Sequence, residues 1–254
     1  MGHASRIVIW MSGTEPEQRE RRGADQLQIP LIAATDPLPD TAAFFLRYEA
    51  AGLTLYQHAA KAPGGLRIDF DQPQLLRRTG DNLLQQNLCR AAGLKRGARV
   101  TVLDTTAGLG KDAWLLAQAG ADICMVERDP IVHALLQDAL QRRFGSDDGS
   151  GMRLYLGAFE ALSQNLPQFD VVYVDPMFPA TSKQARAKKD MFLLQQLLEE
   201  SAGDEGRLLT LARQHARRRV VVKRAKLSPW LAQQKPDIEF KGSSNRYDVY
   251  LTQG

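Results

Sequence analysis

Val102-Leu103-Asp104-Thr105-Thr106-Ala107-Gly108-Leu109-Gly110-Lys111-Asp112 is the stretch whose reading decides the fold. It runs from the apolar end of a strand through an acidic residue and a turn of small residues into the start of a helix. Gly108 and Gly110 let the backbone approach a ligand closely at the carboxyl end of the strand, where open α/β sheets bind nucleotides. No Gly-Lys-Ser/Thr follows, so the turn is not a phosphate-cradling P-loop, and its two glycines do not complete the Gly-x-Gly-x-x-Gly dinucleotide fingerprint. An acidic residue ahead of the turn, Asp104, suits a ligand with a cationic amino-acid end rather than a pyrophosphate. S-adenosylmethionine has such an end, and Asp104, Ala107, Gly108 and Gly110 are the residues of this turn expected to meet it.

Outward from this turn, strands and helices alternate. Strands are expected at Val100–Leu103, Ile123–Val126, Leu154–Leu156, Val171–Val174 and Val220–Val222, and helices at Lys111–Gln118, Pro130–Arg142 and Met191–Glu199. Nearly continuous Val/Ile/Leu strands imply a parallel sheet covered on both faces. Two further strands, Ile238–Lys241 and Tyr247–Thr252, flank Gly242-Ser243-Ser244-Asn245 as an antiparallel hairpin requires. Upstream, apolar positions between Gln74 and Ala92 fit a helical repeat interrupted near Thr79-Gly80. Residues 1–70 read as short strands (Ile7–Trp10, Leu53–Tyr56, Leu66–Phe70) separated by Gly, Pro and charge, which predicts a small β-containing cap. The expected organisation is therefore a cap over 1–70 and a Rossmann-like α/β domain over 71–254.

Two strand ends carry further candidates. Met125-Val126-Glu127-Arg128-Asp129-Pro130 places Glu127 where doubly wound folds put the carboxylate that accepts ribose hydroxyls. A carboxylate there can equally serve a helix N-terminus, a role that Asp129 before Pro130 fits better. Val171-Val172-Tyr173-Val174 runs into Asp175-Pro176-Met177-Phe178-Pro179, so Asp175 projects from the ligand-binding edge of a buried strand. Methyl transfer from a sulfonium to an exocyclic amine depends mainly on aiming the nitrogen lone pair. Asp175 and the Pro176 carbonyl can accept the two amino hydrogens, and Phe178 can stack on a base, an interaction worth roughly 1–3 kcal/mol. As an isolated tetrapeptide the segment is equally a strand-ending turn with a core aromatic. Its position after the cofactor turn favours the amine clamp.

The 254 residues, 44% of them hydrophobic, are enough for a full core, and the longest apolar runs fall far short of the roughly 20 residues a membrane span needs. With no basic-then-apolar leader pattern, a soluble cytoplasmic protein is expected. Cys89 and Cys124 lack the spacing of a zinc site or disulfide framework and read as reduced core residues, and the four histidines show no metal spacing. No metal is expected. Lys and Arg number 33 against 29 Asp and Glu, but residues 181–226 alone hold twelve basic against five acidic residues. A polyanion, nucleic acid above all, is the partner such a run suits, a solvated basic face being its commoner origin.

Taken together, Arg77-Arg78-x-Gly80, Asp104-x-Thr106-Ala107-Gly108-Leu109-Gly110-x-Asp112, Glu127-Arg128-x-Pro130, Asp175-Pro176-Met177-Phe178-Pro179, Lys188-Lys189, Val220-Val221-Val222-Lys223-Arg224 and Arg246-Tyr247-Asp248-x-Tyr250 resemble the bacterial small-subunit (16S) ribosomal RNA guanine-N2 methyltransferases of the RsmJ type. The resemblance implies a class I S-adenosylmethionine-dependent methyltransferase fold. It also implies cofactor contact by Lys111 and Asp112, by Glu127 and Arg128, by the loop after the third strand of the sheet, and by Asp175. In that loop the family often shows a Ser-Ser pair where this chain has Gly157-Ala158, so backbone groups would replace hydroxyls. Lys111 stands where the family has Arg, a mild change if only stem or charge is used. The first 60 residues match poorly.

Ribosomal RNA or the small ribosomal subunit is then the expected partner. Lys183, Arg186, Lys188 and Lys189 after the acceptor motif, and Arg217, Arg218, Lys223 and Arg224 around a later strand, are the candidate phosphate contacts, with both clusters bordering one sheet edge. For any single lysine among them, a solubilising surface role is the commoner one. A guanine N2 inside a duplex faces the minor groove, so the base would be extruded onto Phe178. Two alternatives stand beside this one: an amino-methyltransferase acting on adenine or cytosine of DNA or RNA, and a non-catalytic RNA-binding or assembly protein.

Overall fold

A computed structural model describes residues 6–60, 62, 64–145, 151–176, 193, 197 and 205–252. The chain divides into two compact units. One holds the N-terminal chain through Asp69 together with Ala134–Arg142, and the other holds Phe70–His133, Arg143–Phe178 and Ser201–Gly254.

The first unit carries a four-stranded sheet in the order β2-β1-β3-β4, made of β1 (Ile7–Trp10), β2 (Leu31–Ile32), β3 (Phe44–Glu49) and β4 (Gly52–Gln57). β1 runs parallel to both β2 and β3, with helix α1 (Gln18–Leu27) connecting β1 to β2. α1 buries only Glu20, Gly23 and Ala24. The Glu20 carboxylate accepts the backbone N–H of Ser12 at 2.9 Å and of Glu17 at 2.8 Å, which closes the start of the helix. The strand expected at Leu66–Phe70 is reduced to one bridge between Leu66 and Leu55. Leu66, Ile68 and Phe70 are indeed buried alternately, but the Ile68 carbonyl is taken by the Arg142 guanidinium at 2.6 Å instead of by a neighbouring strand.

The second unit is a seven-stranded sheet in the order β10-β11-β9-β8-β5-β6-β7. Its strands are β5 (Val100–Asp104), β6 (Ala121–Glu127), β7 (Met152–Leu156), β8 (Phe169–Val174), β9 (Ala216–Ala225), β10 (Ile238–Lys241) and β11 (Asn245–Leu251). β7, β6, β5, β8 and β9 are parallel, whereas β11 is antiparallel to β9 and β10 to β11. The antiparallel end hairpin thus forms as the Gly242–Asn245 turn requires. Upstream of the sheet the expected 74–92 helix is broken twice, into α2 (Pro73–Leu76), two 3-10 turns at Arg77–Thr79 and Leu83–Gln85, and α3 (Asn87–Ala91). Gly80 and Gln86 adopt extended backbone at the two breaks.

Helices α4 (Lys111–Gln118), α5 (Pro130–Phe144), α6 (Phe159–Leu162) and α7 (Glu205–His215) follow strands of this sheet or lead into them. The helix expected at Met191–Glu199 lies outside the described residues except for the helical, buried Leu193 and Leu197. Leu103, Val172, Val220 and Val222 are fully buried and pack with Leu209, Ala212 and Leu231. Each such side chain contributes on the order of 1.5–3 kcal/mol. That burial explains why these strands read as unbroken apolar runs. Cys89 and Cys124 are unpaired and buried, and burial pushes both thiols up to about 11. Among the described residues no helix is long and apolar enough to cross a membrane.

Candidate active site

The order of strands reverses at β5, which pairs with β6 on one side and β8 on the other. Crevices at the carboxyl ends of strands beside such a reversal are where open α/β sheets hold ligands. The two motifs singled out in the sequence meet here. Thr105 donates through both its N–H (3.0 Å) and its hydroxyl (3.1 Å) to the Tyr173 carbonyl. The Asp175 N–H in turn donates to the Thr106 hydroxyl at 2.7 Å. The turn after β5 and the turn after β8 are therefore one hydrogen-bonded unit.

On the cofactor side, Asp104 is buried and accepts the Thr106 N–H at 3.0 Å. Burial, opposed by that hydrogen bond and reinforced by Asp112, Asp175 and Glu127, pushes its carboxyl up to about 8. Gly108 (φ 52) and Gly110 (φ 67) both lie in the left-handed region, which explains the glycines of the turn. Glu127 uses one carboxylate oxygen to accept the Gly108 N–H and the other to accept the Asp129 N–H, each at 2.8 Å. It thus braces the glycine turn as well as ending β6, and burial raises its carboxyl above the ordinary range. Asp129 takes the helix-capping role, accepting the N–H groups of Ile131 and Val132 at 2.9 Å. Arg128 is exposed. The Gly157 N–H donates to the Glu127 carbonyl at 2.9 Å, and Ala158 leads into α6.

On the acceptor side, the Lys223 ammonium sits 2.7 Å from Asp112 Oδ2 and 2.8 Å from Asp175 Oδ2. Asp112 Oδ2 also accepts the Tyr173 hydroxyl at 2.7 Å. Burial opposes the Asp112 charge, but the Lys223 charge, its hydrogen bond and that of Tyr173 outweigh it and hold the carboxyl below its usual value. Asp175 lies above its usual value, because burial and the Asp112 charge outweigh the attraction of Lys223. Burial alone would lower Lys223, but Asp175 and Asp112 more than reverse this and raise it. Sequence reasoning missed Thr105, Thr106 and Tyr173, whose hydrogen bonds appear only once β8 is seen to lie beside β5 with Asp104 paired to Tyr173.

The basic residues divide differently from the expectation of a single edge. Arg217 and Arg218 lie at the amino end of β9, where Arg218 pairs with Asp170 at 3.2 Å. Lys223 lies five or six residues further on, about 17–20 Å at roughly 3.3 Å per residue. Lys223 turns into the carboxylate pair rather than outward. Arg224, 3% exposed, donates to the Pro229 carbonyl at 3.0 Å and to Glu205 at 3.3 Å, so its guanidinium offers no surface to a phosphate. Pro176 follows Asp175 at the edge, while Phe178, Lys183, Arg186, Lys188 and Lys189 lie outside the described residues.

The donor set fits S-adenosylmethionine. A buried acid ends β5, a backbone turn opens in the left-handed region, and a second buried carboxylate ends β6, groups that can accept from the ammonium and ribose hydroxyls of such a ligand. A seven-stranded sheet of this order with these strand-end carboxylates defines a class I S-adenosylmethionine-dependent methyltransferase. The family described as "Putative SAM-dependent methyltransferase" matches residues 32–252. A protein of Coxiella burnetii named "Ribosomal RNA small subunit methyltransferase J" is 40% identical over 90% of each chain. A protein of the same name from Pseudomonas aeruginosa is 36% identical over 97% of this chain and 95% of its own. The crystal structure of a SAM-dependent methyltransferase from Neisseria gonorrhoeae superposes with a TM-score of 0.69 at 29% identity, covering 97% of this chain and 96% of its own. The chain belongs to the small-subunit ribosomal RNA methyltransferase J family, and S-adenosylmethionine is its cofactor.

Proposed function

We propose that this chain methylates the exocyclic N2 amino group of a guanine in small-subunit ribosomal RNA. The observation that carries the reading is the hydrogen-bonded union of the Asp104–Gly110 turn with Asp175, which sets an amine-accepting carboxylate beside the cofactor turn. The relatives' name supports ribosomal RNA as the substrate, and the family resemblance of the Asp175–Pro179 motif supports guanine N2. The cytoplasm is the compartment where that RNA is made, and the two unpaired cysteines suit it.

Asp104, Ala107, Gly108, Gly110, Lys111, Asp112, Glu127 and Arg128 would hold the cofactor. Because the Gly157 N–H is already engaged, the contact of the Gly157-Ala158 pair to the adenine edge falls to Ala158. When bound, S-adenosylmethionine supplies a methyl group activated on a sulfonium. Asp175 and the Pro176 carbonyl accept the two hydrogens of N2, which turns the nitrogen lone pair out of conjugation with the ring and toward the methyl carbon. Asp175 also stabilises the positive charge that grows on N2, and it takes the proton N2 sheds as the N–C bond forms and the methyl–sulfur bond breaks, the electron pair of that bond remaining on the departing thioether. Phe178 stacks on the extruded base.

Asp175→Ala tests the reading. The variant is expected to keep its fold and to bind S-adenosylmethionine with at most the modest weakening that loss of one cofactor contact brings, while losing methyl transfer by at least about 10²-fold. Near wild-type transfer in this variant overturns the clamp. Mass analysis of nucleosides from the RNA product is expected to show N2-methylguanosine, and a different methylated base moves the acceptor elsewhere.

A further inference from the structure

We propose that Lys223 is a positioning residue for methyl transfer, holding Asp175 in the rotamer and the ionised state in which it can accept hydrogens from the substrate amine. The inference rests on the reading of Asp175 as the amine clamp and adds to it the residue that sets the clamp.

The geometry is specific. Lys223 lies one residue beyond Val222, which pairs with Val174, so it stands across the β8–β9 boundary from Asp175. The ammonium of this 27% exposed side chain touches Asp112 Oδ2 and Asp175 Oδ2 at once, and Tyr173 completes the group through Asp112. Two carboxylates brought this close without a cation between them do not both ionise readily. A protonated Asp175 would present an O–H where the amine needs an acceptor. With Lys223 on Oδ2, the carboxylate stays an acceptor and directs its second oxygen, Oδ1, to the amino group. The groups whose charges act on Asp175 and Lys223 are Asp112 on α4, Tyr173 on β8, Tyr247 on β11, Asp104 on β5 and Arg78 in the turn after α2, which acts through Asp112 and Tyr247. Among the described residues, the cation in direct contact with Asp175 is Lys223.

A lysine beside an RNA-modifying site has an obvious alternative employment, the binding of a phosphate. The two roles separate in kinetics. Removing a phosphate-binding cation raises KM for RNA and flattens its salt dependence by about one unit of slope, with kcat little changed. Removing a positioning residue lowers kcat.

Lys223→Met is therefore expected to reduce kcat at neutral pH by about 10²-fold, with little change in KM for RNA or in its salt slope. The acidic limb of the pH–kcat profile is expected to move to higher pH, because Asp175 without the ammonium holds its proton longer. Raising the pH then recovers part of the lost rate. Lys223→Arg, which keeps the charge, is expected to leave the acidic limb in place and to recover much of kcat. It also serves as the folding control, its melting temperature and S-adenosylmethionine binding being compared with those of Lys223→Met. The proposal is overturned by a Lys223→Met profile of wild-type shape, or by a defect confined to KM for RNA. If Lys223→Met does not fold, Lys223→Gln is subjected to the same profile, and an unmoved limb counts equally against the proposal. Failure of the parent reading looks different: Asp175→Ala would then remain active whatever Lys223 does.

Discussion

At the scale of a single residue, Asp104 shows how a buried carboxyl at a strand end costs stability. Its carboxyl closes β5 in full burial with a hydrogen bond from the Thr106 N–H, and its acid strength is weakened until it titrates at about 8. In the unfolded chain the same group titrates near about 3.9. Between those two values the folded state holds a proton that the unfolded state has released, so stability falls as pH rises through the window and the loss is complete above about 8. Glu127, also raised by burial, adds a loss of the same sign, while Asp112, which is lowered, contributes stability that disappears in acid. Asp104→Asn removes the first contribution alone. Urea unfolding of both proteins between pH 5 and pH 8 is expected to show wild-type stability declining relative to the variant as pH rises. Parallel curves would mean that Asp104 is ionised in the folded protein throughout. The residue type was readable in the sequence from its place at a strand end. Its protonation state was not, because that depends on three other carboxylates brought near it from 8, 23 and 71 positions away.

At the scale of an element, β9 carries its basic residues for different purposes along its length. Arg217 and Arg218 project at the amino end of the sheet, and the Arg218–Asp170 ion pair fastens β9 to the start of β8, where Asp170 also accepts from Thr101. Lys223 serves the active edge, and Arg224 is buried against Glu205 and the chain at Pro229. Just beyond the strand, Arg246, paired with the buried Asp248, donates to the carbonyls of Lys226 and Ser228 at 2.9 and 2.8 Å, shaping the turn that leaves β9. A run of Arg and Lys in sequence therefore does not amount to one basic face, since successive residues of a strand point to opposite sides and its two ends lie far apart. The expected consequence is that Arg217→Ala/Arg218→Ala leaves the slope of log affinity for RNA against log salt unchanged. Removal of two phosphate-binding cations would lower that slope by about two. Filter or fluorescence titration over a range of salt distinguishes the outcomes, and a reduced slope would return these arginines to the RNA interface.

For the whole molecule, what could be read in advance follows burial. The seven-stranded sheet was visible because β5, β6, β8 and β9 are covered on both faces and keep an apolar run. The N-terminal sheet was half visible: Ile7–Trp10 and Leu53–Tyr56 stood out, but Phe44–Glu49 carries Arg47 and Glu49, and α1 buries only Glu20, Gly23 and Ala24. The acidic strand ends Asp104, Glu127 and Asp175 could be read in advance, whereas the Lys223 bridge required knowing that β9 lies beside β8. One further consequence comes from the distribution of charge. The chain has a net charge of +4, but at the carboxyl edge of its sheet Asp112 and Asp175 both contact the single cation Lys223. That group is net negative and repels an RNA backbone, so phosphates are expected to meet exposed cations outside it, Arg77 and Lys226 being examples among the described residues. Exposed contacts are screened by salt and enclosed ones much less. Raising salt from about 50 to about 200 mM is therefore expected to increase KM for RNA steeply, while kcat and KM for S-adenosylmethionine change little. Steady-state kinetics at saturating RNA checks this directly: a kcat that falls in step with affinity would show that the Lys223 ion pairs are open to solvent ions, and that the charge at the acceptor is set by the bulk solution rather than by the fold.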